Sequence, residues 1–408
     1  MPSSARPSSA VVDTTTRPSP GRAIAAATVL NLPLGSLYAF SVFLKPLESL
    51  LGLSRAELAL VFALASAGFG GGANLTPYVY GLAPTPVLVL VCATSTMLGI
   101  TLAATAGNLL QLAVGYGLCF GAGGGAAYIL SQQVVNLAVT RHHGLVNGYL
   151  VGLYPAGAVI AAPLFGWGIR AFGVRATLGA LATVLGVTGL LSAWLITRAG
   201  VTLSSGAAVA TPEERERRRS VFWTLSLVFF LAASAGLMVL SQAAGMIAAY
   251  GGAAAVAISG TTFIAATIAV ARVGGGWLVD WFTVPTVAAV AHAVALAGNV
   301  ALTVWPTPAI AVVSLALVGT GYGLMSGVTA AAVAVYWRRE LYGRIASRIY
   351  LAWCAGAIVL PITAGHLFDV TRSYGAAILI AAGGNVLGLF AAWTLPREPV
   401  ERQDKSVG

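Results

Sequence analysis

The stretch Ala271 to Trp281, ARVGGGWLVDW, sets one arginine in a run that carries no other charge from Ser220 to Val279. A guanidinium stays charged at any physiological pH and offers five N–H donors in a planar fork, which grips a carboxylate through two parallel bonds. The nearest acid is Asp280, and on a helix it stands roughly 12 Å away along the axis and about 80° around it, too far to pair. Glu48, Glu57, Glu213, Glu214, Glu216, Glu340, Asp369, Glu398, Glu401, Asp404 and Asp13 fall in loops, tails or span ends. A buried cation without a resident counter-ion implies a mobile one, so Arg272 reads as the hook for an anionic substrate. The plainer alternative has it capping backbone carbonyls or stacking on a ring.

Aromatic residues at the ends of apolar spans are ordinary interface anchors, so those near mid-span are the informative ones. Tyr38, Tyr128, Tyr154, Tyr322 and Trp353 meet that test, and they can orient a carboxylate and exclude water. Gln132, one turn past Tyr128, and Gln242 can add hydrogen bonds. Within the spans the remaining titratable candidates for a proton relay are His292 and His366, both read as structural, so anion exchange or proton-compensated symport at Arg272 is favoured over a carboxylate relay. There is no nucleophile with a base, no metal-ligand spacing and no cofactor loop, and the GGG runs lack the strand-turn-helix setting of a phosphate loop. An enzyme, a cofactor and a metal are therefore not expected. Cys92, Cys119 and Cys354 lie within spans and suggest neither disulfides nor zinc.

These residues must be positioned by membrane helices. The 408 residues are 58% hydrophobic and 8% charged, with a mean hydropathy of +0.87, whereas soluble domains carry about 25% charged residues. Breaks at Pro, Gly, Asn and charge clusters predict twelve spans, at 22–44, 57–80, 86–107, 109–139, 144–170, 175–197, 220–250, 254–281, 284–305, 308–337, 344–368 and 374–395. Their even number puts both termini on one side. That side collects sixteen of the 22 Lys and Arg, against five on the other and Arg272 within the membrane. The bias places both termini in the cytoplasm of a multi-pass protein of the inner (plasma) membrane. The net charge of +10 is thus a topology signal, and no nucleic-acid partner is expected.

The chain also repeats itself. FGGGANLT (69–76) matches VGGGWLVD (273–280), GYGLCFG (115–121) matches GYGLMSG (321–327), and AGAVIAAPLFGWGIRAFG (156–173) matches AGAIVLPITAGHLFDVTRSYG (355–375), in order and at an offset of about two hundred residues. Arg272 stands opposite Gly68, so it belongs to one half alone. The expected organisation is a disordered tail (1–21), a six-helix half (22–197), a cytoplasmic linker (198–219), a second six-helix half (220–395) and a tail (396–408). Two such halves about a membrane-normal axis suit a rocking transporter with its site between them. Gly117, Gly121 and Gly125 recur on one face of the fourth span, which lets helices approach closely.

Over 22–396 the chain resembles the major facilitator superfamily, and within it the oxalate:formate antiporters and monocarboxylate transporters. GSLYAFSVFLKPLESLLGLS (35–54), RHHGLVNGYLVGLYPAGAVIAAPL (141–164), ARVGGGWLVD (271–280) and the 355–375 segment carry the likeness. The resemblance implies that Arg272 binds the substrate carboxylate within a cage of Tyr38, Tyr128 and Tyr154. The group's eleventh-span lysine falls at Cys354 or Ala355 here, so the second cation is missing, unless Arg348 substitutes for it, and a monoanion is implied. The superfamily's charged loop signature survives only at Asp280, which implies a gating role for Asp280 and a weaker interlock on the other side; Arg348 is a second gating candidate. The expected function is transport of a small organic monoanion such as formate, lactate or pyruvate by alternating access, as antiport or proton-coupled symport, by a monomer in the lipid bilayer. Export of a hydrophobic compound and ligand sensing without flux remain alternatives.

Overall fold

Residues 18–203 and 212–397 are described by the computed structural model. Twelve helices are long and apolar enough to cross a bilayer: α1 (Pro20–Leu51), α2 (Glu57–Tyr78), α3 (Thr85–Ala104), α4 (Leu109–Ala138), α5 (His143–Phe172), α6 (Val174–Ala199), α7 (Arg218–Ala249), α8 (Ala255–Val279), α9 (Val284–Val304), α10 (Pro308–Tyr336), α11 (Arg339–Thr371) and α12 (Gly375–Trp393). Among the described residues no strand forms beyond an isolated bridge between Tyr80 and Ala83. The expected spans and the helices differ most at α1, which runs on past residue 44 to Leu51.

Local chemistry starts these helices where they start. A proline stands in the first turn of α1, where its missing N–H costs nothing. Before α2, Ser54 and Glu57 form a reciprocal capping box. Helix also covers Pro212 to Arg217, leading into α7, so the charged end of the expected linker is helical. The rest of that linker's Ser-rich part (204–211), most of the tail expected at 1–21 (1–17) and residues 398–408 of the second tail lie outside the described residues.

The start of α1 is tied to the end of α6 by Ser19 N–H to Ala199 O at 2.9 Å and by Arg22 to Arg198 O at 2.9 Å. The Tyr336 hydroxyl at the end of α10 donates to Pro396 O, just after α12, at 2.6 Å. The start of α1 and the end of α12 therefore lie at one end of the bundle, the terminal end. Around the bundle, Leu164, Val270, Ile362 and Phe390 point outward into the layer that hydrocarbon covers.

The repeat seen in the sequence is a repeat in packing. A Cβ on Gly121 would land against Ala65 and one on Gly125 against the Phe69 carbonyl, so α4 lies backbone to backbone on α2. In the second half a Cβ on Gly275 would strike the Leu324 carbonyl and one on Gly327 the Arg272 carbonyl, so α8 and α10 meet the same way. Without a hydrophobic drive between helices in lipid, such small faces are what permits close packing. Two helices depart from regular geometry: α1 tightens to a 3₁₀ helix over Gly35–Phe43, which contains Tyr38, and α4 loosens to π turns over Ala113–Phe120.

Candidate functional site

The close packing of α8 on α10 decides where Arg272 points. Its side chain is 4% exposed and lies between the two halves. Nη1 donates to the Val151 carbonyl of α5 at 3.2 Å, and Nη2 donates to the Tyr322 hydroxyl of α10 at 2.8 Å. The guanidinium carbon stands 5.3 Å from the Tyr322 ring centroid. Both contacts of the plainer sequence reading, a carbonyl and a ring, are therefore present. They leave the charge itself uncompensated: among the described residues no carboxylate pairs with Arg272, its electrostatic neighbours are the tyrosines 38, 128, 322 and 350, and Nε has no partner.

Around the guanidinium is a central cavity of ≈ 20 Å³, room for about one water. Tyr38, Tyr128, Tyr154, Tyr322 and Trp353 line it with Arg272, so the aromatic residues singled out from five different spans meet here. Their rings interlock: Tyr128 and Tyr154 stand edge to face at 5.2 Å, and Tyr38 lies 6.0 Å from Tyr154 and 6.4 Å from Trp353. The Trp353 indole donates to the Tyr322 oxygen at 2.7 Å. That oxygen accepts two bonds and keeps its own proton free for a guest. The Tyr154 hydroxyl is spent on the Gly124 carbonyl at 3.1 Å, and that of Tyr128 on Tyr350 at 2.8 Å across the two halves.

Phe69, Val151, Phe229, Ser326 and Tyr350 also line the cavity and were not singled out from the sequence. Tyr350 had a signal, since it lies three residues before Trp353 on one face of α11. Phe69 had one as well, being the neighbour of Gly68, which the repeat sets opposite Arg272. Phe229 sits in an unbroken apolar run and had none.

Several expected residues lie elsewhere. Gln132 does not line the cavity; its Oε1 accepts from Tyr342 at 3.1 Å, further toward the terminal end. Gln242 accepts from Tyr374 at 3.2 Å near the opposite end. Arg348 is exposed and donates to the Tyr78 hydroxyl at 3.2 Å, so it does not bring a second cation to Arg272. Cys354 is half-buried and faces Gly70 of α2. His292 is buried against Asn385, 2.9 Å away, and the Val228 carbonyl, 3.2 Å away, within the second half.

Asp280 binds across the halves. Its Oδ1 accepts from Gly144 N–H at 2.7 Å and its Oδ2 from Leu145 N–H at 2.8 Å. These are unpaired amides at the start of α5, where a negative charge is favoured. Gly276 permits the contact by lying against the backbone of Gly144 and Gly148. Thr76, opposite Asp280 in the repeat, instead turns its hydroxyl back to Gly72 O at 2.7 Å. The interlock expected to be weaker is nonetheless occupied, because neutral groups take the place of the acid. Gln133 accepts from Gly343 N–H at 2.6 Å and donates to Arg339 O at 2.8 Å. Asn74 donates to Ser347 O at 2.9 Å, and Arg344 stacks over Tyr78. Among the described residues, the hydrogen bonds between the halves lie at cavity level or between it and the terminal end, which is the closed side.

Twelve spanning helices in two matching halves, closed at one end over a central site, define a membrane transporter that works by alternating access. The chain belongs to the Major Facilitator Superfamily, whose family model matches residues 25–361. Its fold is similar to that of the proton:xylose symporter XylE bound to 6-bromo-6-deoxy-D-glucose, with a TM-score of 0.73 at 15% identity over 95% of this chain and 99% of that one. It is also similar to FucP in the outward conformation, with a TM-score of 0.66 at 14% identity over 91% and 98%. A structure of the E. coli fucose:proton symporter FucP gives 0.66 at 15% identity over 91% and 98%. At such identities the likeness is one of fold. No curated protein matches the sequence.

Proposed function

We propose that this transporter carries a small organic monoanion, a monocarboxylate of the formate, acetate, pyruvate or lactate type, with Arg272 as the carboxylate-binding group. The observation that carries the reading is a buried guanidinium with no carboxylate partner among the described residues and an unpaired Nε, facing a cavity lined otherwise by rings, Val151 and Ser326. Val151, Tyr322 and the neighbouring Tyr38 hydroxyl take up to three of its five donors, which leaves two for a grip on one carboxylate. The remaining lining includes no other ionised group, which speaks against a dianion. It also includes no Asn, Gln, Asp or Glu, the side chains that would answer the many hydroxyls of a sugar, so the sugars of the structural relatives are not favoured.

The two halves, 22–197 and 220–395, rock about this site, and a single chain supplies all of it, which suits a monomer. The arginine bias puts the terminal end in the cytoplasm. Asp280 and Arg348 act as gate contacts at that end. Proteoliposomes supplied with labelled formate, acetate, pyruvate and lactate test the reading. Saturable uptake that vanishes in Arg272→Gln is expected, and uptake by that variant at the wild-type rate overturns it. Comparing trans-stimulation with a pH gradient separates antiport from proton symport.

A further inference from the structure

Between the cavity and the terminal end, Gln132, Asn136, Asn147 and Tyr342 are buried where α4, α5 and α11 meet. Uncharged polar side chains in the middle of a membrane bundle are costly unless satisfied. Most of these are. Asn136 and Asn147 hydrogen-bond reciprocally at 2.8 and 2.9 Å, Asn136 also donates to the Gln132 carbonyl at 2.9 Å, and Asn147 to the His143 carbonyl at 2.8 Å. Tyr342 shares its proton between Gln132 Oε1, at 3.1 Å, and Ala330 O, at 3.2 Å.

Gln132 is the exception. It is 1% exposed, yet its Nε2 has no partner. The amide lies beside the Tyr350 hydroxyl, yet in this closed state Nε2 makes no hydrogen bond to it or to any other group. A buried, unsatisfied polar atom that is kept calls for a use in another state of the protein. The position supplies one. Gln132 lies one helical turn beyond Tyr128, whose hydroxyl closes the cavity floor against Tyr350. The Tyr128 to Tyr350 and Tyr342 to Gln132 bonds both run from α4 to α11, one from each half. Separation of the halves at the terminal end therefore breaks both at once. The amide and the Tyr342 hydroxyl then face the opened passage, about 5 to 6 Å nearer the exit than Tyr128.

We infer that Gln132, with Tyr342, forms a second, transient carboxylate site between Arg272 and the terminal end, occupied when that side is open. The inference rests on the monocarboxylate reading above. An anion leaving a guanidinium through an apolar bundle needs donors that hold it less tightly than the site it leaves, so that it enters and then moves on. A neutral amide and a phenol supply such donors. The Asn136 to Asn147 pair continues the polar line toward His143, whose Nε2 lies 3.3 Å from Arg339 at the surface.

The test compares Gln132→Leu, Gln132→Glu and Arg272→Gln in full-length protein, using the best-bound of formate, acetate, pyruvate and lactate as the probe. Equilibrium binding to purified protein and flux from proteoliposomes are measured side by side. Both Gln132 variants are expected to bind within about threefold of wild type while flux falls about tenfold, the worth of one hydrogen bond to a charged group. Gln132→Glu is the discriminating variant: its carboxylate still accepts from Tyr342, so a role limited to holding the gate shut leaves its flux at the wild-type level and overturns the inference. Loss of binding in Gln132→Leu as complete as in Arg272→Gln also overturns it, by merging the two sites. If wild type binds none of the four anions, the monocarboxylate reading itself fails, a result visible before any Gln132 variant is made.

Discussion

Replacing Tyr322 by Phe tests the site with one atom. The hydroxyl oxygen accepts from Arg272 Nη2 at 2.8 Å and from Trp353 Nε1 at 2.7 Å, which leaves its proton to donate to a bound carboxylate. Phe keeps the ring beneath the guanidinium, 5.3 Å from centroid to carbon, so stacking is preserved and the hydroxyl alone is lost. The anion loses one hydrogen bond to a charged group, about 1.5 to 3 kcal/mol. That corresponds to a Kd raised roughly 10- to 150-fold. The Trp353 N–H and one Arg272 N–H lose their acceptor as well, so thermal stability falls, although a cavity of ≈ 20 Å³ admits a water that recovers part of the loss. The assay is equilibrium binding of labelled acetate or pyruvate to detergent-purified protein, with melting temperature measured on the same samples. A Kd within twofold of wild type, in protein that remains folded, refutes the claim that the Tyr322 hydroxyl belongs to the anion site.

Asp280→Asn removes the negative charge at the start of α5 and leaves Gly144 or Leu145 N–H without an acceptor. The closed terminal end should weaken by about 1 to 2 kcal/mol, and spin labels at Arg141→Cys and Arg338→Cys, in a chain lacking Cys92, Cys119 and Cys354, should report a larger fraction of long distances. An unchanged distribution speaks against a latch. Gly276→Val drives a side chain into the backbone of Gly144 and Gly148, so the same labels should stay apart and transport should stop. Gly71→Val, where the added carbon meets open space, should transport normally.

Spans were legible because charge is excluded from hydrocarbon over stretches that no soluble helix leaves bare. Arg272 was legible for the same reason: a lone cation stands out wherever charge is forbidden. What escaped sequence reasoning depends on pairing between distant helices. Gln133 is an ordinary amide in an apolar run until α11 arrives, 210 residues later, with Gly343 N–H against it. His292 reads as structural, but the partners that hold its ring, Asn385 and the Val228 carbonyl, come from distant helices. Gln132 was placed among the substrate contacts by its spacing from Tyr128, but one helical turn carried it below the floor that Tyr128 and Tyr350 form. The 3₁₀ segment around Tyr38, which begins at Gly35 against the Tyr154 backbone, has no counterpart in any local sequence pattern.

The interface between the halves divides its labour unevenly. Arg272, Asp280 and Arg348 all belong to the second half, whereas the first half answers them with the Val151 carbonyl, the Gly144 and Leu145 amides and the Tyr78 hydroxyl, and its Gln132, Gln133 and Asn74 meet uncharged groups of the second half. Duplication thus produced a charged partner and an uncharged one. On the proposed reading, the sign of the cargo is written in one half alone. A chimaera that joins this second half to the first half of a relative should inherit its preference for anions, while the borrowed half resets how large an anion fits.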